Sequence, residues 1–470
     1  MDPVKTEYGY VSGIAAAVPE TDVQIYRGIP YAAPPLGERR WKPPEPPVSW
    51  SGVLECIDFS KSSPQPPRPN PDYNIPRDED CLYLNIITPV KTGEEKLPVM
   101  VWFHGGGYVY GTGNNQLSNS PRLPQTGIVL VTVNMRLDTT GLLAHPLLSE
   151  ESANGISGNY MFLDMLAALK WVNGNIAAFN GNPDNITIFG QSGGGAKVAT
   201  LMCSPFAKGL FHRAICESGT STGDFSPGMP LKDLEVMGER LFAKLGVNKE
   251  KDPLASARAI HWTKVQECTQ SLMEELSLAF SPGGLWDAAI DGYFLNESPL
   301  NIFRSCRQNP VPLITCANLG EIMIPTDQYS LSFLIPAYIE MLSSQEKAGV
   351  KSYACIFDQV PKQWREDGVP STHSLELCYV FGDWDNSTDA WSSLRHNSCF
   401  VKSKYEDPGL TEIDRNISEE MMRRWVQFAK TGNPNIDDSI KWPHYESSTD
   451  QYLYISDPIE ARSGFSLIGQ

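Results

Sequence analysis

A serine set inside a glycine cluster constrains this chain more than any other feature. Asn185 to Val198 reads N-I-T-I-F-G-Q-S-G-G-G-A-K-V. Ile186, Thr187, Ile188 and Phe189 form a short β-rich run, and Ala196, Val198 and Ala199 open a helix of small residues. Between them lies Gly190-Gln191-Ser192-Gly193-Gly194, a G-x-S-x-G match. A serine on so sharp a strand-to-helix turn is held in strained backbone, and its neighbours two positions away crowd each other. Only residues of glycine size fit there, as Gly190 and Gly194 do. Ser192 then projects beside a helix N-terminus, whose free N–H groups stabilise negative charge. Alone, the pentapeptide fits an ordinary glycine turn equally well. The rest of the chain has to supply partners for the serine.

The surrounding segments predict a parallel sheet with crossover helices. Glu79 to Pro89 alternates as a strand does. Leu97 to Phe103 is a continuous apolar run, expected of a fully buried strand, and it ends in His104-Gly105-Gly106-Gly107. Ile128 to Val133 is a second such run. Asn159 to Phe179 carries Phe162, Met165, Leu166, Leu169, Val172 and Ile176 at helical spacing. Further strands are expected at Arg213 to Cys216, Pro310 to Cys316 and Ser352 to Phe357, with mainly helix over 229–280. Ser418 is expected to cap a helix that runs to about Lys430 and stops at Gly432 and Pro434. Strand, strand, helix, strand, turn, helix is the rhythm of an α/β fold with helices on both faces of a large, mostly parallel sheet. The stretch from Ser60 to Asp78, rich in Pro, Ser and Asn, reads as a surface loop over the site.

Composition excludes several function classes. The formal net charge of −17 over 470 residues opposes non-specific binding to nucleic acid or to an anionic membrane. No apolar run reaches transmembrane length. Met1-Asp2-Pro3-Val4-Lys5 lacks a secretory signal pattern, so the expectation is a cytoplasmic protein, with secretion and a trimmed signal as the alternative. None of the ten cysteines forms a C-x-x-C pair, so neither a zinc nor a redox motif is expected. Cys216, Cys316 and Cys355 read as small buried hydrophobes. No function attaches to the N-x-[ST] matches at Asn185, Asn296, Asn386 and Asn416.

A serine nucleophile needs a histidine base, and the histidine a carboxylate. In a doubly wound sheet such residues lie beyond the C-terminal ends of strands. His212 starts a strand, His261 lies in a helical region, His145 and His444 sit by prolines on turns, and His396 lies in a polar loop. His104 opens the triple glycine and suits another role. His373, after the strand at 352–357, remains. Glu321 follows the strand at 310–316 and gives the chain order nucleophile, acid, histidine. A surface carboxylate at a helix start is an equal reading of Glu321, and Asp287 and Asp291 are rival acids. The N–H groups of Gly105-Gly106-Gly107, with that of Gly193, are suited to surround an oxyanion. Tyr108 and Tyr110 either line the pocket or are packing aromatics.

These motifs together resemble the type-B carboxylesterase family, which holds cholinesterases, liver-type carboxylesterases, bacterial esterases and the non-catalytic neuroligins. The likeness covers nearly the whole chain. It includes Tyr26 to Ala32, Glu79 to Asn85, the triple glycine, Asn159 through Asp164 to Val172, Glu217-Ser218-Gly219, Asn318 to Glu321, His373 to Glu376, and Trp425 through Pro434. The resemblance implies one α/β-hydrolase domain over residues 1–470 and a serine carboxylesterase working through an acyl-enzyme. It implies Ser192 as nucleophile, Glu321 as acid, His373 as base, and Gly106, Gly107 and Gly193 as oxyanion hole. Ser218 matches a serine that hydrogen-bonds near the acid, and Cys56 and Cys81 match a disulfide. No metal or organic cofactor is called for. The partner is a small-molecule ester, and the chain is expected as a monomer or homodimer. Two departures flank the serine: Gln191 stands where glutamate is frequent, and Gly193 where alanine is. The loop from Cys56 to Cys81 holds no tryptophan, which with Gln191 argues against choline esters. Alternatives are a hydrolase of the same fold specialised for lactones, carbamates, amides or polyesters, and, more remotely, a neuroligin-like scaffold.

Overall fold

The computed structural model describes residues 2–16, 22–67, 75–90, 96–223, 226–277, 284–321, 331–383, 391, 404–405 and 407–469. Its centre is a mixed sheet, eleven strands wide among the described residues. In chain order these are β1 (Ile14–Ala15), β2 (Val23–Pro30), β3 (Tyr83–Pro89), β4 (Leu97–Phe103), β5 (Val129–Val133) and β6 (Gly181–Gln191). Then come β7 (Arg213–Glu217), β8 (Leu313–Asn318), β9 (Ser352–Phe357), β10 (Gln451–Ile455) and β11 (Glu460–Ser463). Their order across the sheet is β11-β10-β9-β8-β7-β6-β4-β5-β3-β2-β1. The middle strands, from β5 across to β10, pair in parallel. The antiparallel pairs lie at the two edges.

The continuous apolar runs feed both faces. Val99, Val101 and Phe103 of β4 enter one core, and Met100 and Trp102 enter the other. Side chains alternate across a strand, so a run apolar at every position is the signature of a sheet covered twice. Helix α1 (Tyr160–Asn175) covers the first face with Phe162, Met165, Leu166, Leu169 and Val172. Asn159 is its N-cap, and it passes into a 3-10 turn over Ile176–Phe179, which matches the predicted span from Asn159 to Phe179. Helix α2 (Gly193–Cys203), which leaves the serine turn, lies on the same face. A long helix, α3 (Glu412–Thr431), covers the second face with Met421, Met422, Trp425, Val426 and Phe428.

Helix α3 begins earlier than the sequence reading places it. Thr411 caps it, in a reciprocal capping box with Asp414. Ser418 lies inside the helix, where its buried hydroxyl donates to the Tyr379 carbonyl at 2.7 Å. Its polar character thus satisfies a tertiary contact rather than a helix end.

Two further expectations change. Cys56 and Cys81 are buried and stand as free cysteines. The disulfide joins Cys316 of β8 to Cys355 of β9. Those two read from sequence as packed thiols, but they share a register position on neighbouring strands, with Cα atoms 4.6 Å apart, within bonding range. The Ser60 to Asp78 stretch is not wholly a surface loop. Ser62, Ser63 and Gln65 are buried. Gln65 bonds both backbone groups of Gly111, donating at 2.9 Å and accepting at 3.0 Å. Residues 68–74 of that stretch lie outside the described residues.

Candidate active site

The C-terminal ends of β4, β6, β7 and β8 converge on Ser192. Strand β6 runs straight into the turn, and Ser192 has φ 58° and ψ −127° at the entrance to α2. That is strained backbone for a non-glycine residue, worth about 1–3 kcal/mol, and it persists only where the surroundings enforce it. They do so here. The Ser192 N–H donates to the Glu217 carbonyl at 2.8 Å, and its own carbonyl accepts from Ala196 N–H at 3.1 Å. A Cβ on Gly190 would lie 2.6 Å from the Gly194 carbonyl carbon, and one on Gly194 would lie 2.1 Å from the Phe103 oxygen. The crowding that the G-x-S-x-G spacing implies is therefore present.

The triple glycine passes directly beneath this turn. A Cβ on Gly105 would come within 3.2 Å of the Ser192 Cβ, and one on Gly193 within 2.2 Å of the Gly107 oxygen. Gly106 and Gly107 have φ of +94° and +62°, a region in which a side chain is strained. Their N–H groups donate to no backbone carbonyl among the described residues. Gly193 is the first residue of α2, so its N–H belongs to the unsatisfied first turn.

His373 and Glu321 meet as the chain order suggests. His373 Nδ1 lies 2.5 Å from Glu321 Oε2, and both residues are buried. The other carboxylate oxygen, Oε1, accepts from the Asn318 N–H at 2.8 Å. On the far side of the ring, Gln191 Nε2 lies 3.2 Å from His373 Nε2. With the ring proton on Nδ1 facing Glu321, Nε2 is an acceptor and the Gln191 amide donates to it. Burial pulls the His373 pKa down, but the charge and hydrogen bond of Glu321, joined by Glu376, outweigh it, and the net direction is upward.

The rival residues have other partners. Asp291 Oδ1 accepts from the N–H groups of Tyr293, Phe294 and Leu295 and so organises a turn. Asp287 accepts from Ala288 and Gly228 N–H groups. His145 and His261 cap helices. His212 accepts from Ile186 N–H, and His444 pairs with Glu446. His396 lies outside the described residues. Tyr108 is fully buried edge-on against Phe162, so its packing reading holds.

A cleft opens over the site. Ser192, Gly107, Gly193, Ser218, Glu321 and His373 line it, with Phe333, Leu334, Ala196 and Gly223 as apolar wall. Among the described residues, a glutamate and a histidine already held to one another are the ionisable groups of this lining. Among the described residues no group of three His, Cys, Asp or Glu side chains is placed to hold a metal.

Sequence reasoning missed a second buried carboxyl behind the first. Glu376 accepts from Ser218 Oγ at 3.3 Å and from Asn318 Nδ2 at 2.5 Å. Desolvation and the neighbouring Glu321 raise its pKa to about 7. Ser218 hydrogen-bonds near Glu321 through Asn318, whose Nδ2 donates to the Ser218 Oγ and whose N–H donates to Glu321. The signal for Glu376 was its place three residues after His373, on the first turn of the helix Glu376–Val380. A third carboxyl, Glu217, is fully buried and accepts from Trp425 Nε1 at 2.6 Å. Burial, with Glu376 nearby, pushes its pKa well up.

Comparison with known proteins gives the family. The model of the carboxylesterase family matches residues 2–334 and 326–466. The para-nitrobenzyl esterase of Bacillus subtilis (strain 168) is 31% identical, over 97% of this chain and 95% of the relative. A fumonisin B1 esterase of Sphingopyxis macrogoltabida is also 31% identical, over 94% and 84%. Among solved structures, a thermophilic PNB esterase superposes with a TM-score of 0.82 at 28% identity, covering 98% of this chain and 97% of that one.

Proposed function

The chain belongs to the carboxylesterase family and is a carboxylic ester hydrolase, and on that premise we propose that it works through an acyl-enzyme formed on Ser192. The observation that carries this reading is the His373–Glu321 contact at 2.5 Å, lining one cleft with Ser192. Glu321 holds the proton on Nδ1 and leaves Nε2 basic. Nε2 takes the Ser192 proton as Oγ attacks the ester carbonyl; general-base help of this kind contributes about 10²–10⁴-fold. The N–H groups of Gly106, Gly107 and Gly193 receive the oxyanion, each worth about 2.7–4 kcal/mol at the transition state. The imidazolium, stabilised by Glu321, then protonates the departing alkoxide. Water repeats the sequence on the acyl-enzyme and releases the acid.

The substrate follows from the walls. Phe333, Leu334 and Ala196 favour an uncharged, apolar acyl or alcohol group, and a neutral Gln191 beside the histidine offers no charge to a cation. A panel of p-nitrophenyl esters of increasing acyl length, with Ser192→Ala alongside, tests the proposal. Hydrolysis by the wild type that is lost in the variant supports it. Hydrolysis that survives in the variant removes Ser192 from the mechanism.

A further inference from the structure

We propose that Lys197 is a positioning residue for ester hydrolysis, clamping the glycine loop that supplies the oxyanion donors. The inference rests on the reading above, in which Gly106 and Gly107 face the oxyanion. Lys197 lies on α2, five residues after Ser192, and is fully buried. Its Nζ donates to the His104 carbonyl at 3.0 Å and to the Gly107 carbonyl at 3.0 Å. The Tyr108 ring lies on a third side, its centroid 5.7 Å from Nζ.

The two carbonyls bracket the loop. His104 O is at its entry from β4 and Gly107 O at its exit, and the peptide N–H groups of Gly105, Gly106 and Gly107 lie between. Three successive glycines have the greatest backbone freedom a chain can have. Without an anchor the peptide planes can rotate, and the donors then lose the preorganisation on which an oxyanion site depends. The Gly105 oxygen lies 2.9 Å from His104 Nδ1, and the Gly106 oxygen accepts from the Tyr110 N–H at 2.9 Å, which holds the two inner planes. Lys197 holds the outer two and so completes the set. The Gly107 oxygen is held from two sides, by Nζ and by the bare Cα of Gly193.

Packing alone does not call for a lysine here. The neighbours on α2 are Ala196, Val198 and Ala199, and an unpaired ammonium is costly to bury. Burial pushes the Lys197 pKa down to about 7, and no carboxylate of the described residues offsets it. An apolar side chain of similar length would fill the same space without that cost, but it would not donate to two carbonyls. The neutral amine keeps two N–H donors, enough for both acceptors, so the clamp persists on either side of the titration.

The test compares K197M with wild type using a p-nitrophenyl ester and a trifluoromethyl ketone, which forms a tetrahedral adduct with the serine. The clamp predicts that kcat falls about ten- to a thousandfold, the range for losing an oxyanion donor, while KM stays within about twofold. The ketone should lose affinity by the same factor as kcat. An unchanged kcat, or a fall in kcat with the affinity for the ketone unchanged, would overturn the proposal. If K197M is not recovered folded, K197Q keeps an amide donor in the same place. It should show a smaller loss of the same kind, and an unchanged kcat or a kcat loss without a matching loss of ketone affinity there would again overturn the clamp. Ser192→Ala separates the two claims. Activity retained in that variant fails the reading of the site, whereas an inactive Ser192→Ala beside an unimpaired K197M fails the clamp alone.

Discussion

Gly193 and Gly107 approach so closely that a Cβ on the first would lie 2.2 Å from the oxygen of the second. Family resemblance makes alanine frequent at the Gly193 position, so in this chain the glycine loop sits nearer to α2 than alanine permits. Gly193→Ala must displace backbone rather than a flexible side chain. The predicted result is a drop in kcat of about 10²-fold, near that for losing one oxyanion donor. Steady-state kinetics with a neutral ester measure it, and wild-type kcat in the variant would contradict the close approach.

Gln191 controls the other side of the histidine. Its amide faces His373 Nε2 at 3.2 Å. Gln191→Glu places a carboxylate there, which favours the protonated ring and shifts its pKa up by about 1–3 units. The basic form is then lost at higher pH, so the acid limb of the kcat/KM profile moves upward. The variant should also gain in relative kcat/KM for a cationic ester over its neutral analogue. A pH–rate profile that overlays that of the wild type would refute this role.

Glu321→Gln keeps the shape of the contact with Nδ1 but lets the amide N–H face the ring. That favours the tautomer with the proton on Nε2, which cannot accept from Ser192. An isosteric change of this kind in a Ser-His-Asp triad costs about 10⁴-fold in kcat. A loss of similar size, with KM little changed, is expected here. Activity within tenfold of wild type would return Asp287 or another acid to consideration.

Glu376 sets a pH dependence of stability. Its pKa is raised from 4.5 to about 7 in the fold, chiefly by desolvation and then by Glu321. Between those values the folded state binds more protons than the unfolded one, so this group's contribution to stability falls as pH rises. Below about 4.5 the contribution is fully present, and above about 7 it is lost. Thermal melts of wild type and Glu376→Gln across this window should diverge, with the variant gaining relative stability toward pH 7. A constant or opposite difference would contradict the assignment.

Much of this was legible in the sequence because strand and turn chemistry is local. Apolar runs such as 97–103 announce strands buried on both faces, and G-x-S-x-G announces the strained serine. The order Ser192, Glu321, His373 places each residue after a strand, yet it could not separate Glu321 from Asp291. Only the fold shows that Asp291 is occupied by three backbone N–H groups. What stayed hidden depends on contacts distant in sequence. Cys316 and Cys355 are 39 residues apart and meet through strand register. Ser418 looked like a cap because a carboxylate-rich turn follows it, whereas Thr411 and Asp414 form the cap. Nothing local to Lys197 shows that β4 brings His104 and Gly107 over it.

The central claim is that Ser192 carries the acyl group. It is tested most directly by trapping, because a phosphonylating ester reagent bonds covalently only to an activated nucleophile. Peptide mapping by mass spectrometry should find one phosphonyl group per chain, on Ser192, in proportion to activity lost, with no labelling of His373→Ala at the same rate. Inactivation with the label on another residue, or full labelling without loss of esterase activity, would contradict the account.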